Sequence, residues 1–132
     1  MRAVQPSGFV DRPDYRVDIL RRRNCVTVRF DDTLLAESTA CLLVDEQDHG
    51  LVFYFPRHDV RLDELTPTDR TSVCPFKGTA SYWRLAGRGP DSIAWSYETP
   101  HPEVARLAGH VAFYQDDVHL EVGTAPYNGP RS

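Results

Sequence analysis

Lysine is almost absent from this chain: of 15 basic side chains, Lys77 alone is not an arginine. Such a bias is the mark of a GC-rich genome, which writes arginine wherever any cation will serve. A lysine kept under that drift points to work that guanidinium cannot do, such as supplying a compact ammonium that gives up a proton. The plainer reading is chance, so its neighbours decide its weight. Cysteine is scarce too. Cys25, Cys41 and Cys74 are odd in number and form no CxxC pair, which speaks against a disulfide framework and a structural zinc site. No apolar run approaches the roughly 20 residues that span a bilayer. Residues 1–6 hold no hydrophobic signal stretch, so the chain reads as cytoplasmic. A net charge of −4 advertises neither a nucleic-acid-binding nor a membrane-binding surface. There is no GxSxG, no Walker A loop and no GxGxxG before a helix. His49, His58, His101, His110 and His119 lack ligand spacing, so no metal site is expected.

What is present is the pattern of a β protein. A chain of 132 residues is one domain's worth, and 41% hydrophobic residues suffice for a core. Residues 1–13 carry two prolines and no periodicity and read as a flexible arm; 123–132, rich in Gly and Pro, read as a loose tail. Between them, 14–122, alternating or β-branched runs predict strands at 15–20, 25–30, 34–38, 41–44, 51–55, 60–63, 80–85, 93–97, 111–114 and 118–122. The 51–55 run is apolar on both faces and predicts a central, doubly covered strand. Thr66 to Asp69 read as a turn. Period-two alternation puts Ile93, Trp95 and Tyr97 on one face. Only 102–108 looks helical, with Pro102 in the first turn and Gly109 as a stop. Short strands at this spacing predict a single compact antiparallel β-sandwich or open barrel with one short helix near 102–109. Its sheet edges leave room for a homodimer.

Candidate chemistry concentrates between Thr71 and Glu98. In Cys74-Pro75-Phe76-Lys77-Gly78, proline favours a β-turn, which brings the end residues Cys74 and Lys77 within about 7 Å, Cα to Cα. An ammonium beside a thiol stabilises the thiolate and makes it a usable nucleophile. The alternative is a packed Cys74 with Lys77 in water. Arg57, just past the strand-ending Pro56, is placed to bind a carboxylate or phosphate, or to serve as an ordinary ion-pair residue. Trp83, Trp95, Tyr82 and Tyr97 offer flat faces for planar ligands near Glu98, a candidate acid or base. Large rings also fill β cores, so at least one Trp is expected there.

Taken together, Tyr54-Phe55-Pro56-Arg57 with Asp59-Val60, Cys74 to Gly78, Ala80-Ser81-Tyr82-Trp83, Ala94 to Glu98, Pro102-Glu103 and Val111 to Tyr114 resemble domain-of-unknown-function family 427. The resemblance covers roughly residues 24–122, with Phe76 where tyrosine is common. It implies a small bacterial or fungal protein with a mostly antiparallel, β-tent-like fold. Many β-tent proteins hold zinc through paired CxxC motifs, which this chain lacks, so zinc is not carried over. The family is sometimes labelled nucleotidyltransferase-like. Arg57 and Lys77 suit phosphates, but no convincing carboxylate pair for Mg²⁺ stands in the sequence.

Three readings follow. In the first, one cationic, aromatic-lined pocket takes a small anionic or planar ligand. Cys74 is then nucleophile or acid/base, Lys77 tunes it, Arg57 anchors an anion, Glu98 shuttles a proton, and Tyr82, Trp83, Trp95 and Tyr97 line the pocket. In the second, the same pocket binds a metabolite or nucleotide without catalysis. In the third, the motifs serve only a demanding core and an interface. No cofactor is singled out by the sequence.

Overall fold

Alternation lets a strand bury one face and wet the other, and most strands form where the sequence alternates. The computed structural model describes residues 6–125. Among these the strands are β1 (Val17–Arg21), β2 (Val26–Phe30), β3 (Thr33–Ser38), β4 (Leu42–Glu46), β5 (Val52–Pro56), β6 (Leu65–Cys74), β7 (Gly78–Leu85), β8 (Ser92–Tyr97), β9 (His110–Phe113) and β10 (His119–Val122). Every pairing between strands is antiparallel. Seven strands make one sheet in the order β1-β4-β5-β9-β8-β7-β6, and β10-β2-β3 make a second. The protein is mainly β, and neither sheet closes into a barrel.

The two sheets enclose one core, in which Val26, Val28 and Leu35 of the small sheet share a cluster with Phe55, Trp83, Val111 and Phe113 of the large one. Phe55 and Phe113 meet edge to face at 5.7 Å. A second cluster lies on the opposite face of the large sheet. It joins Leu42, Val44, Tyr54, Tyr82, Tyr97 and Ala112 to Val104 and Leu107, with Phe9 packed against them. β5 is therefore covered on both sides, Phe55 facing one cluster and Tyr54 the other, as its uniformly apolar sequence predicts.

Four local expectations differ from the structure. Residues 60–63 are not a strand. Val60 makes an isolated bridge to Ala36, and Leu62–Glu64 is a 3₁₀ turn. The supposed turn at Thr66 to Asp69 instead lies inside the long edge strand β6. Pairing passes from Pro67 with Trp83 directly to Thr71 with Ser81, so Thr68, Asp69 and Arg70 form a bulge. Turn-forming residues serve equally well in a bulge, and proline is tolerated on an edge. Ile93 is likewise an extra residue in β8: Trp83 faces Ala94 while Arg84 faces Ser92. That bulge shifts the alternation, sending Ile93 into the inter-sheet core while Trp95 and Tyr97 face the other way. The expected helix is a pair of 3₁₀ turns over Pro102–Leu107, broken at Val104.

Residues 1–5 and 126–132 of the two expected terminal segments lie outside the described residues. Residues 6–13 run as turns against the β6–β7 hairpin. Gly8 N–H donates to the Pro75 carbonyl at 2.7 Å, and the Phe9 ring meets Phe76 edge-on at 5.1 Å.

Candidate functional site

The face of the large sheet turned away from the small one carries a cleft of about 590 Å³. Strand alternation supplies its aromatic surfaces: Tyr54 from β5, Tyr82 from β7, Trp95 and Tyr97 from β8, and Tyr114 just past β9. Trp95 Nε1–H donates to the Tyr54 hydroxyl at 3.1 Å and tilts against Tyr114 at 4.9 Å between centroids. The Tyr82 hydroxyl is 2.7 Å from that of Ser72. Above Tyr82 lies the Arg70 guanidinium, 3.9 Å from the ring centroid and delivered there by the β6 bulge.

The β6–β7 hairpin contributes the other polar groups. Its three-residue loop joins paired Cys74 and Gly78 and brings Cys74 Sγ to 4.0 Å from Lys77 Nζ. Lys77 does not reach into water. Its ammonium is buried and ion-paired with Glu46, the last residue of β4. Glu46 also accepts a hydrogen bond from Tyr15, and His49 Nε2 lies 3.7 Å away. Burial alone raises a carboxyl's pKa, but the bonds from Lys77 and Tyr15 and the charges of Lys77 and His49 outweigh it and hold Glu46 below its ordinary value. Burial and the same carboxylate push Tyr15 up to about 12. Tyr15 also stacks flat on Phe76 at 3.6 Å, fixing one wall.

Tyr97 differs from its neighbours. It is only 7% exposed and lines the cleft, yet its hydroxyl has no hydrogen-bond partner among the described residues. Burial first, then nearby Tyr54, Cys74, Tyr82 and Glu46, push its ionisation far up, so the phenol stays a donor.

Of the residues selected from sequence, Cys74, Lys77, Tyr82, Trp95 and Tyr97 line this cleft together. Arg57, Trp83 and Glu98 do not; they form a second group. Arg57 Nη1 donates to both Glu98 oxygens at 3.1 Å and its guanidinium covers the Trp83 ring at 5.1 Å. Trp83 Nε1–H donates to Ser96 Oγ at 3.3 Å, and Ser96 donates to Glu98 at 2.9 Å. A single pocket holding all eight residues is thus not what forms, because Tyr82 and Trp83 are chain neighbours whose side chains leave β7 on opposite sides, and Glu98 lies just past the end of β8. Sequence reasoning passed over Glu46, Tyr15, Arg70 and Tyr114. Among the described residues no cluster of three or more His, Cys, Asp or Glu could hold a metal ion.

The fold and cleft define a small two-sheet β protein with a tyrosine-rich concave face. The chain matches the family model described as Domain of unknown function (DUF427) over residues 18–124 and belongs to that family. No curated protein matches it.

Proposed function

We propose that this protein binds a small planar ligand in the tyrosine-lined cleft. One observation carries the reading: a volume of about 590 Å³ is walled by Tyr54, Tyr82, Trp95, Tyr97 and Tyr114 and edged by a buried ion pair and a thiol. Ligand pockets are of this size, mostly apolar, with a few placed polar groups. A core evolved only for packing has no need to leave such a space. The test uses indole, phenol and quinoline as probes in ligand-observed NMR. Gly50 lines the cleft, and a Cβ there meets nothing within 4 Å, so Gly50→Trp fills the space without disturbing the sheet. The expected result is binding to the wild type and loss in Gly50→Trp at unchanged thermal stability. Equal behaviour of the two proteins refutes the reading.

A catalytic role for Cys74 is the second reading, favoured by the 4.0 Å approach of Sγ to Lys77 Nζ. In it Cys74 is the nucleophile, Lys77 stabilises the thiolate, and Glu46, rather than Glu98, is the carboxylate within reach of the pair. Site-resolved alkylation by iodoacetamide tests it. Cys41 is an internal control, fully buried and with its thiol pushed up to about 12 by burial. Cys74 is expected to react fastest of the three cysteines, and Lys77→Met to slow it. If Cys74 reacts no faster than Cys25, or Lys77→Met changes nothing, the catalytic reading falls while binding stands.

A further inference from the structure

We propose that the cleft selects a planar organic acid, its acid group held by Arg70 and a second acceptor on its ring held by the Tyr97 hydroxyl. This rests on the cleft being a ligand site, and it names what the site prefers. Charge favours an anion. Glu46 is already ion-paired with Lys77 and accepts from Tyr15, with His49 3.7 Å away, so its charge is largely offset before a cationic ligand arrives. Arg70 is the reverse case: it is not itself a wall of the cleft but stands over the ring of Tyr82, which is, and it is exposed with no carboxylate partner among the described residues. The net electrostatic invitation is therefore to an anion. The rings are also partly occupied. An aromatic cage attracts cations to its faces, but the face of Tyr82 already carries a guanidinium at 3.9 Å. A ligand cation entering there meets like charge.

One donor facing the cleft is unmatched. Tyr97 is more than nine-tenths buried, lines the cleft and has no partner, whereas buried hydroxyls normally find one. His101 Nε2 is the contrasting case, a polar atom sealed within the protein without a partner. The Tyr97 hydroxyl is not sealed in that way; it opens on the cleft, where an entering acceptor can satisfy it. Trp95 and Tyr114, which line the same cleft, offer ring surface for the ligand's plane.

Four probes test the proposal by NMR titration: benzoate, benzamide, benzyltrimethylammonium and pyridine-3-carboxylate. Benzoate is expected to bind about tenfold more tightly than benzamide, in keeping with one charge-assisted hydrogen bond, and benzyltrimethylammonium more weakly still. Arg70→Gln, at an exposed position where folding is not at risk, is expected to bring benzoate to the level of benzamide. Pyridine-3-carboxylate is expected to bind more tightly than benzoate, and Tyr97→Phe to shrink the ratio of the two affinities toward one. The proposal is overturned if benzyltrimethylammonium or benzamide matches benzoate, or if Arg70→Gln keeps the preference. An unaltered pyridine-3-carboxylate advantage in Tyr97→Phe overturns the part assigned to Tyr97. If wild type and Gly50→Trp treat every probe alike, the cleft itself is not a ligand site and both readings fall together.

Discussion

At the scale of single residues, two of the ion pairs make different claims on stability. Lys77 and Glu46 are both 9% exposed in their side chains, whereas Arg57 and Glu98 are 41% and 44% exposed. Removing one member of a buried pair strands the other charge and costs about 3–5 kcal/mol; an exposed pair is worth about 0–1. Lys77→Met is therefore expected to lower unfolding free energy in urea by about 3 kcal/mol, and Glu46→Leu added to it to recover part of that loss. Arg57→Ala and Glu98→Ala are each expected to cost less than about 1 kcal/mol and to leave probe binding in the cleft untouched. A binding defect in either would put the second cluster back into the site. Glu46 also sets an acid limb. Its folded pKa lies below the ordinary 4.5, so its contribution is fully present above that value and is lost as pH falls through the lower, folded one. Glu46→Gln is expected to flatten the fall in stability between neutral and acid pH, read from urea midpoints. An unchanged acid limb would show that Glu46 is not held by its partners.

The β6–β7 hairpin carries Cys74, Lys77 and Tyr82 of the cleft, and its closing glycine is poorly open to substitution. Gly78 has φ +111°, and a Cβ there would lie 3.3 Å from the Thr99 carbonyl oxygen. Gly78→Ala meets both strain and crowding and is expected to cost about 2 kcal/mol in urea unfolding. Gly50→Ala, with open space around its Cβ, serves as a control expected to cost almost nothing. A neutral Gly78→Ala would mean that the loop relaxes freely and does not fix Lys77. This hairpin also shows what was legible in the sequence. The approach of Cys74 and Lys77 could be read because only three positions and a proline-started turn separate them. The strands could be read because each alternation is local. The partner of Lys77 could not, since Glu46 lies 31 positions away, and only the sheet order brings it near. Arg70 was hidden because bulges and turns use the same residues, so Thr66 to Asp69, just before it, read as a turn. The separation of Trp83 from Tyr82 was present in the alternation itself, and gathering them into one pocket overrode it.

For the whole molecule, the governing fact is the mismatch between a seven-stranded sheet and a three-stranded one. Three strands fill one face of the larger sheet. The other face is covered by the Val104–Leu107 turns and the Phe9 segment, and the cleft lies on it. Tyrosine suits that role, since its ring packs like a core residue while its hydroxyl stays at the wet margin. The consequence is an alkaline limit to folding. Burial, the largest cause in each case, raises the ionisation of Tyr15, Tyr54, Tyr97 and Tyr114 above the ordinary 10.0. An acid whose folded pKa is raised keeps its proton in the native state while the unfolded chain loses it. Stability is then full below pH 10 and declines as pH rises toward and past about 12, the value reached by Tyr15. Tyrosinate absorbance and far-UV circular dichroism should therefore change together, in one cooperative step well above pH 10. Gradual ionisation near pH 10 with the sheet signal intact would mean that the cleft tyrosines are already hydrated. The aromatic face would then be open surface, and the cleft would lose the shelter on which selective binding depends.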